Sequence, residues 1–384
     1  MPVPVLLVVV GTRAEMLASA SLIRTLRAAD PLTLPFETRF VVTGQERTEL
    51  DQTLDALGVE PDGDLSIKTP HLFDAALAAR LLHEMEAALR HHNACCAVAT
   101  GTSASAWATA VAAYHRQTPV IHLGAGAFAP AGRRPFPEWL HASDLARIAE
   151  LHLCPDEESA QILRREIDGG ARCLCSAGAA IRVVGHGSDE ALARALADPP
   201  PGDDDPTLTG LRSGAPRVLV FIRRREHHAD ALRPLCRTLD ALSRRFADHE
   251  FTVVYSLQSH ICDAFAAQLP ACANLRGVAP LPYPAFVREV ARARLVVTDS
   301  AGVSREAALL SRPLVVVGAY SVVESALRHV PAGYTVAEVT AASLESAIME
   351  TLAQSSPSPA PSEIPATPTG RMAAQAIVEW WKGK

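Results

Sequence analysis

The chain has no long hydrophobic run, although 48% of its 384 residues are hydrophobic. The apolar segment at residues 5–10 is short, has no basic region before it and has no cleavage site after it, so it predicts a buried strand and not a signal peptide. No segment has the roughly 20 apolar residues that a membrane-spanning helix requires. We therefore expect a cytoplasmic protein without a membrane span.

The sequence also has no excess of basic residues. Its 36 Lys and Arg are outnumbered by 42 Asp and Glu, which gives a formal net charge of −6 at pH 7. Because nucleic-acid-binding proteins carry a basic face, we expect no nucleic-acid partner. Short basic clusters at Arg133-Arg134 and at residues 223–225 indicate either a solvated surface or a phosphate clamp.

The sequence also lacks the paired cysteine spacings that are typical of a zinc site. The eight cysteines are scattered through apolar segments, and neither Cys95-Cys96 nor Cys173-Leu174-Cys175 has the spacing or the second half of a zinc site. The adjacent His227 and His228 likewise lack a third ligand at metal spacing. We predict reduced, buried thiols, no metal site and no cofactor.

What the chain does contain is a regular alternation of strands and helices. This pattern predicts an α/β fold with parallel sheets covered on both faces, and 384 residues are enough for two such domains. A Pro-rich break at residues 199–206 suggests the boundary. We predict a Rossmann-like N-terminal domain over residues 1–198, a Rossmann-like C-terminal domain over residues 199–368, and a last helix over residues 369–384 that crosses back to the first domain.

The element boundaries follow from the hydrophobic pattern. Apolar β-branched runs predict buried strands, and amphipathic runs of period 3.6 predict helices. The predicted strands are residues 4–10, 38–43, 95–99, 119–123, 151–154, 181–184, 217–222, 250–257, 295–297 and 314–317. The helices that we predict with defined bounds are residues 14–28, 46–57, 73–91, 105–115 and 371–381.

The segment from Leu295 to Val317 is the most informative part of the chain. Its turn, residues 298–302, consists mostly of small residues whose N–H groups can approach a ligand closely, and the following helix points its positive end at that ligand. Glu306 lies one turn into the helix, where it could accept two hydrogen bonds from a ribose diol. The arrangement suits a nucleotide diphosphate, but an ordinary βα unit explains the spacing equally well.

Four motifs, in order along nearly the whole chain, resemble those of the UDP-N-acetylglucosamine 2-epimerase family. They are Gly11-Thr12-Arg13-Ala14-Glu15, the segment 43–52, the segment 154–159 and the segment 298–307. The resemblance implies the GT-B fold, in which two Rossmann-like parallel-sheet domains enclose an interdomain cleft. It also implies that UDP or a UDP-sugar binds in that cleft.

The resemblance is weakest in the residues for catalysis. The family eliminates UDP from the sugar and adds it back with C2 inverted, which requires carboxylates as acid and base. Thr102 stands at the acid of the family's H-G-D-T-T motif, and Gly124 stands at the acid of its H-x-E-A-G motif. Of the acids in its P-E-E-x-N-R motif only Glu138 remains, and Trp139 could fill space for the sugar. The resemblance therefore implies a degenerate acid–base site.

The nucleotide side matches the family more closely. The residues that we expect to bind the nucleotide are Arg13, Arg223, Phe286, Ser300, Ala301, Gly302 and Glu306. The resemblance implies that Phe286 packs near the uracil and that Ser300, Gly302 and Glu306 contact the diphosphate and the ribose. Arg223 stands where the family has a phosphate-binding histidine, and its permanent charge can hold a phosphate but cannot shuttle a proton.

Two functions are consistent with these residues. The first is a degenerate family member that binds UDP or a UDP-sugar, either as a homodimer or partner subunit or in a repurposed reaction. The second is an active GT-B sugar-nucleotide enzyme, glycosyltransferase-like or a UDP-N-acetylglucosamine 2-epimerase, in cell-surface polysaccharide biosynthesis. In that enzyme the catalytic candidates are Glu138 and His122, although a lone histidine at a strand end is more often structural.

Overall fold

The structure is a computed structural model of the chain, and it divides the chain into two compact units. The first unit comprises Met1–Ala191 and Pro365–Lys384, and the second comprises Leu192–Ile364. The residues that the structure describes are 3–29, 34–44, 47–67, 75–128, 137–169, 174, 178–197, 214–222, 232–254, 274–318, 327, 334–338, 340–354, 364 and 367–384. The domain boundary predicted between residues 198 and 199 lies outside the described residues.

The first unit is built on a parallel sheet of seven strands. They are β1 (Val5–Val10), β2 (Glu37–Val42), β3 (Gly63–Asp64), β4 (Ala94–Thr100), β5 (Val120–Leu123), β6 (Leu151–Cys154) and β7 (Ala180–Val183). Their order in the sheet is β3-β2-β1-β4-β5-β6-β7. The helices along this part of the chain are α1 (Arg13–Ala28), α2 (Arg47–Leu57), α3 (Ala75–His91), α4 (Ala104–His115), α5 (Glu138–Ile148), α6 (Glu157–Asp168) and α7 (Gly187–Ala197).

The second unit is built on a separate parallel sheet of six strands. They are β8 (Arg217–Phe221), β9 (Glu250–Val254), β10 (Leu275–Val278), β11 (Leu295–Thr298), β12 (Leu314–Val317) and β13 (Tyr334–Ala337). Their order is β10-β9-β8-β11-β12-β13. The helices are α8 (Leu232–Arg245), α9 (Tyr283–Arg292), α10 (Ala301–Leu309) and α11 (Ala341–Gln354), and the last helix of the chain is α12 (Thr369–Lys382).

The central strands are apolar on both faces because helices cover both faces of each sheet. In β8, the consecutive residues Val218, Leu219 and Val220 are all buried although their side chains alternate between the two faces. Val218 and Val220 share one core with Leu295 and Val297 of the neighbouring β11. The apolar runs from which these strands were predicted therefore form the central strands of the sheet.

The strand order also shows where each unit is suited to bind a ligand. In the first sheet the chain moves outward from β1 to β2 and then returns to place β4 on the other side of β1; β8, β9 and β11 repeat this pattern in the second sheet. Ligands of open parallel sheets bind at such a switch point, outside the carboxyl ends of the strands. The two switch points lie between β1 and β4 in the first sheet and between β8 and β11 in the second, so a ligand is expected at the carboxyl ends of these strands.

The last helix returns to the first unit, as the sequence predicted. The Gly370 N–H donates to Glu190 Oε2 at 2.9 Å, and the ring of Trp381 lies edge-on to Phe36 with 5.9 Å between centroids. At the end of the helix, Lys384 pairs with Glu150. These contacts join α12 to segments that precede it by more than 100 residues.

The predicted elements agree with the structure to within two residues at each described end, and three short strands were missed. The missed strands are β3, β10 and β13, whose sequences are short and mix apolar with polar residues or glycine. Residues 46, 73–74 and 255–257 of the predicted elements lie outside the described residues. Among the residues that the structure does describe, no helix combines the length and the hydrophobicity needed to cross a membrane.

The packing of α12 on α1 leads to a prediction about stability. A Cβ on Gly370 would lie 2.4 Å from the Ser21 carbonyl oxygen, so Gly370→Ala forces the two helices apart. We expect this change to lower the free energy of unfolding by about 1–3 kcal/mol in urea denaturation. Gly383→Ala is the matched control, because among the described residues its Cβ would come no closer than 3.5 Å to a neighbour, the Trp380 carbonyl oxygen. Equal stabilities of the two variants would contradict the close packing of α12.

Candidate functional site

The turn after β11 is fixed to the end of β8 by a buried threonine. The Thr298 hydroxyl donates to the Phe221 carbonyl at 2.8 Å and accepts from the Ser300 N–H at 3.0 Å. Ser300 then caps α10, with its Oγ 3.5 Å from the Val303 nitrogen. Because the first N–H groups of a helix have no intrahelical acceptor, this end of α10, which begins at Ala301, is suited to bind an anion.

Gly302, the second residue of α10, is not required by the packing of the protein. A Cβ on it would meet no heavy atom within 4 Å among the described residues, and its φ is not positive. Neither packing nor backbone conformation therefore calls for glycine at this position. The close approach of a ligand to the main chain is a reason that remains.

Glu306 is held in place by a residue that the sequence analysis missed. The Tyr283 hydroxyl donates to Glu306 Oε1 at 2.9 Å, and the two residues are only 1% and 6% exposed. Tyr283 is the first residue of α9, so two helices meet at this hydrogen bond. A buried tyrosine needs a partner for its hydroxyl, but the sequence alone does not show which acceptor that is.

Phe286 and Arg223 are two other residues that we predicted to bind the nucleotide. Phe286 is 2% exposed, packs edge-on to Phe221 at 5.4 Å and stacks on Tyr283 at 6.0 Å. Its side chain is therefore a core residue in this structure, and a uracil contact here would have to use the main chain. Arg223 lies outside the described residues, so its phosphate contact stays a prediction.

In the first unit, the turn after β1 forms a capping box. Glu15 Oε2 accepts from the Gly11 and Thr12 N–H groups at 2.6 and 3.1 Å, and Thr12 Oγ1 accepts from the Glu15 N–H at 3.3 Å. The spacing Thr12-x-x-Glu15 is a known signal for this cap and was not used in the sequence analysis. Arg13 begins α1 directly after the cap; its nucleotide contact stays a prediction.

The turn after β4, where the family resemblance places an acid, is held by two histidines. His122 Nε2 donates to the Gly101 carbonyl and His141 Nδ1 donates to the Thr102 carbonyl, each at 2.9 Å, since a carbonyl can only accept. Burial lowers the pKa of His122 to about 4 and also lowers the pKa of His141. Both rings are therefore neutral at pH 7, and His122, at 2% exposure, is better placed to fix the turn than to exchange protons with a ligand.

Trp107 supports the second of these histidines. Its ring stacks on His141 with 5.6 Å between centroids, and its Nε1 donates to Asp144 at 2.8 Å. Asp144 and His141 both lie on α5, so α4 and α5 are joined beside the Thr102 turn.

Two further positions that the family resemblance assigns to acids are Gly124 and Glu138. Gly124 has φ +80°, a left-handed conformation that L side chains rarely adopt. A glutamate at this position would be strained even though its Cβ would meet only ordinary contacts with Gly101. Glu138 is the first residue of α5, where a carboxylate interacts favourably with the helix dipole. Its catalytic role, like that of His122, stays a prediction.

The structure thus brings the predicted residues together in two groups. Ser300, Ala301, Gly302 and Glu306 lie on one end of α10 in the second unit. Arg13, His122 and Glu138 belong to elements at the carboxyl edge of the first sheet. Two parallel-sheet α/β units with capped helices at both switch points define a protein of the GT-B class.

The chain belongs to the UDP-N-acetylglucosamine 2-epimerase family, whose model matches residues 32–359. A probable UDP-N-acetylglucosamine 2-epimerase from Ralstonia solanacearum is 29% identical over 316 residues, or 81% of each chain. The UDP-N-acetylglucosamine 2-epimerase of Escherichia coli (strain K12) is 28% identical over the same length and the same shares.

Solved structures agree with this fold. The Neisseria meningitidis UDP-GlcNAc 2-epimerase bound to UDP-GlcNAc has a TM-score of 0.81 at 19% identity, covering 99% of this chain and 100% of that one. The Methanocaldococcus jannaschii UDP-GlcNAc 2-epimerase in complex with UDP-GlcNAc and UDP has a TM-score of 0.78 at 17% identity, covering 98% and 99%. The predicted GT-B fold class is confirmed.

The buried His122 leads to a prediction about pH. Because the pKa of the folded residue is about 4, below the ordinary value of 6.5, folding favours the neutral ring. Its contribution to stability is complete above pH 6.5 and is lost as the pH falls from 6.5 towards 4. His122→Gln should make the pH dependence of the unfolding free energy shallower over this range, by up to about 1.4 kcal/mol per pH unit.

This prediction has a matched control in the exposed His115. His115→Gln should leave the slope of unfolding free energy against pH unchanged in urea titrations between pH 4 and 7. An unchanged slope in His122→Gln would show that His122 is accessible to protons in the folded protein.

Proposed function

We propose that this protein binds UDP or a UDP-sugar through the α10 end of its second unit and does not carry out conventional epimerisation. The observation that carries the first half is that a Cβ on Gly302 would meet no heavy atom of the described residues within 4 Å, beside a capped helix N-terminus. The diphosphate would accept hydrogen bonds from the first N–H groups of α10, and Glu306 would accept from the ribose. Relatives of the same family bind UDP-GlcNAc or UDP, as the names of their solved structures state.

The second half of the proposal rests on the turns after β4 and β5. Thr102 and Gly124 occupy the positions where the family resemblance places carboxylates, and the left-handed backbone of Gly124 disfavours any side chain. A positioned acid or base contributes about 10²–10⁴-fold in rate, so the loss of two such groups removes most of the chemical acceleration. A binding or partner subunit, or a repurposed reaction, is consistent with what remains.

The second candidate function is an active sugar-nucleotide enzyme of cell-surface polysaccharide biosynthesis, working in the cytoplasm. Family membership favours it, because relatives at 28–29% identity are described as UDP-N-acetylglucosamine 2-epimerases or probable ones. Glu138 also favours it, since this acid is retained at the start of α5. In this enzyme Glu138 would supply the acid–base chemistry, and the two functions are separated by an assay for proton exchange.

The binding proposal predicts opposite behaviour of stability and affinity at Gly302. Gly302→Ala should keep or slightly raise thermal stability, because the methyl group meets no neighbour among the described residues and alanine favours a helix. The same change should weaken UDP binding, measured by isothermal titration calorimetry, because the methyl group would occupy the space where a phosphate approaches. Unchanged UDP affinity in a folded variant would show that no ligand approaches Gly302.

Glu306→Ala should weaken UDP binding by about 1–3 kcal/mol, as expected for the loss of hydrogen bonds to a charged group. Glu350→Ala, which removes an exposed acid from α11 of the same unit, is the matched control and should leave the affinity unchanged. Failure of the wild-type protein to bind UDP at millimolar concentration would reject the proposal.

The catalytic half is tested by incubating the protein with UDP-N-acetylglucosamine in deuterated water. Inversion at C2 must exchange the C2 proton of the substrate. We therefore expect no deuterium at C2 by mass spectrometry, under conditions in which the Escherichia coli relative exchanges the C2 proton of the substrate completely. Rapid incorporation would instead support the active enzyme. In that case Glu138→Gln should abolish the exchange.

A further inference from the structure

The hydroxyl of Tyr283 donates a buried hydrogen bond to Glu306, the proposed acceptor for the ribose. We propose that Tyr283 is a positioning residue, which holds the Glu306 carboxylate in the orientation that accepts from a ribose diol. The inference deepens the proposed function and rests on it. Its physical basis is a 2.9 Å bond between two residues that are nearly inaccessible to solvent.

Glu306 needs such support because its side chain is long. A glutamate has several rotatable bonds, and fixing them at the moment of ligand binding costs conformational entropy. In this structure the Tyr283 hydroxyl donates to one acceptor direction of Oε1 and so restricts the rotation of the carboxylate. An acceptor that is already oriented loses less freedom when the diol arrives.

Tyr283 is itself fixed by its surroundings. It begins α9 between Pro282 and Pro284, which restrict the local backbone, and its ring stacks on Phe286 at 6.0 Å. Phe286 packs in turn against Phe221, the last residue of β8. The phenol is therefore held by the backbone on one side and by an aromatic cluster on the other.

The same strand end also fixes the helix that would bind the diphosphate. The carbonyl of Phe221 accepts from Thr298, whose hydroxyl accepts in turn from Ser300, the N-cap of α10. The Phe221 side chain thus supports Glu306, the proposed ribose acceptor, through the aromatic cluster. The Phe221 main chain supports the N–H groups at the start of α10, which would face the phosphates. Tyr283 completes a frame in which the two parts of a nucleoside diphosphate meet their partners at a set separation.

The test compares UDP with 2′,3′-dideoxy-UDP, which lacks the diol. We expect the wild-type protein to prefer UDP, and we expect Tyr283→Phe to weaken UDP binding about 5- to 10-fold. The affinity for 2′,3′-dideoxy-UDP should not change, because that ligand makes no use of the oriented carboxylate. In a Glu306→Ala background, Tyr283→Phe should have no further effect on UDP affinity. A merely structural role for Tyr283 would instead weaken both ligands in every background.

Thr351→Val is the matched control. It removes another buried hydroxyl of the second unit, one that bonds the Ala347 carbonyl at 2.7 Å and Thr335 Oγ1 at 3.1 Å. It should lower stability without altering the preference for UDP over the dideoxy ligand. If Tyr283→Phe does not fold, 4-fluorophenylalanine at position 283 fills the space of the hydroxyl without donating a hydrogen bond, and the same loss of preference is expected.

The outcomes separate this inference from the proposed function. A wild-type protein that binds neither ligand rejects the proposed function. A wild-type protein that binds both equally overturns the ribose contact of Glu306, and with it this inference, but leaves UDP binding at α10 standing. A wild-type protein that prefers UDP, together with a Tyr283→Phe variant that keeps the full preference, overturns the positioning role and leaves the proposed function intact.

Discussion

The hydroxyl of Thr298 is the interaction on which the candidate nucleotide site depends. It is buried between the ends of β11 and β8, donating to one strand and accepting from the turn that leaves the other. The Asp299 N–H also donates to the Phe221 carbonyl, at 3.3 Å, so the turn is joined to the end of β8 by a side chain and by the main chain. The sheet therefore fixes the position of the candidate site, and the residues of the turn supply its hydrogen-bond donors. This explains how a short turn of small residues can present main-chain donors in a defined direction.

The first unit fixes its corresponding turn by different chemistry. His122 and His141 donate to two consecutive carbonyls, at Gly101 and Thr102, and burial keeps both imidazoles neutral. Neutral donors of this kind order a turn without adding charge to it. The capping box at Thr12 and Glu15 satisfies helix amides next to the same switch point. The carboxyl edge of this sheet is thus well ordered, so the absence of family carboxylates there does not reflect a loss of structure.

Local signals in the sequence predicted most of the fold, because central strands and amphipathic helices are encoded by nearest neighbours. β10 was missed since Leu-Arg-Gly-Val combines a charge and a glycine in four residues. The site was harder to predict, because its meaning lies in distant contacts. Tyr283 finds its acceptor 23 residues away and His141 finds its acceptor 39 residues away. Phe286 is a different case: its contact with the nucleotide stays a prediction, and the structure adds that its side chain is buried in the core.

The two units differ in a way that bears on function. In the second unit, two residues of the candidate nucleotide site are held by hydrogen bonds, Ser300 by Thr298 and Glu306 by Tyr283. In the first unit, Gly101 and Gly124 both have positive φ and lie next to each other across adjacent turns, and Gly101 matches the glycine of the family motif. Left-handed conformations cost a non-glycine residue about 1–2 kcal/mol, so a glutamate at Gly124 would carry that strain. The proposed binding of a nucleotide without conventional epimerisation is consistent with this contrast, since it uses the donors of α10 and needs no acid at Gly124.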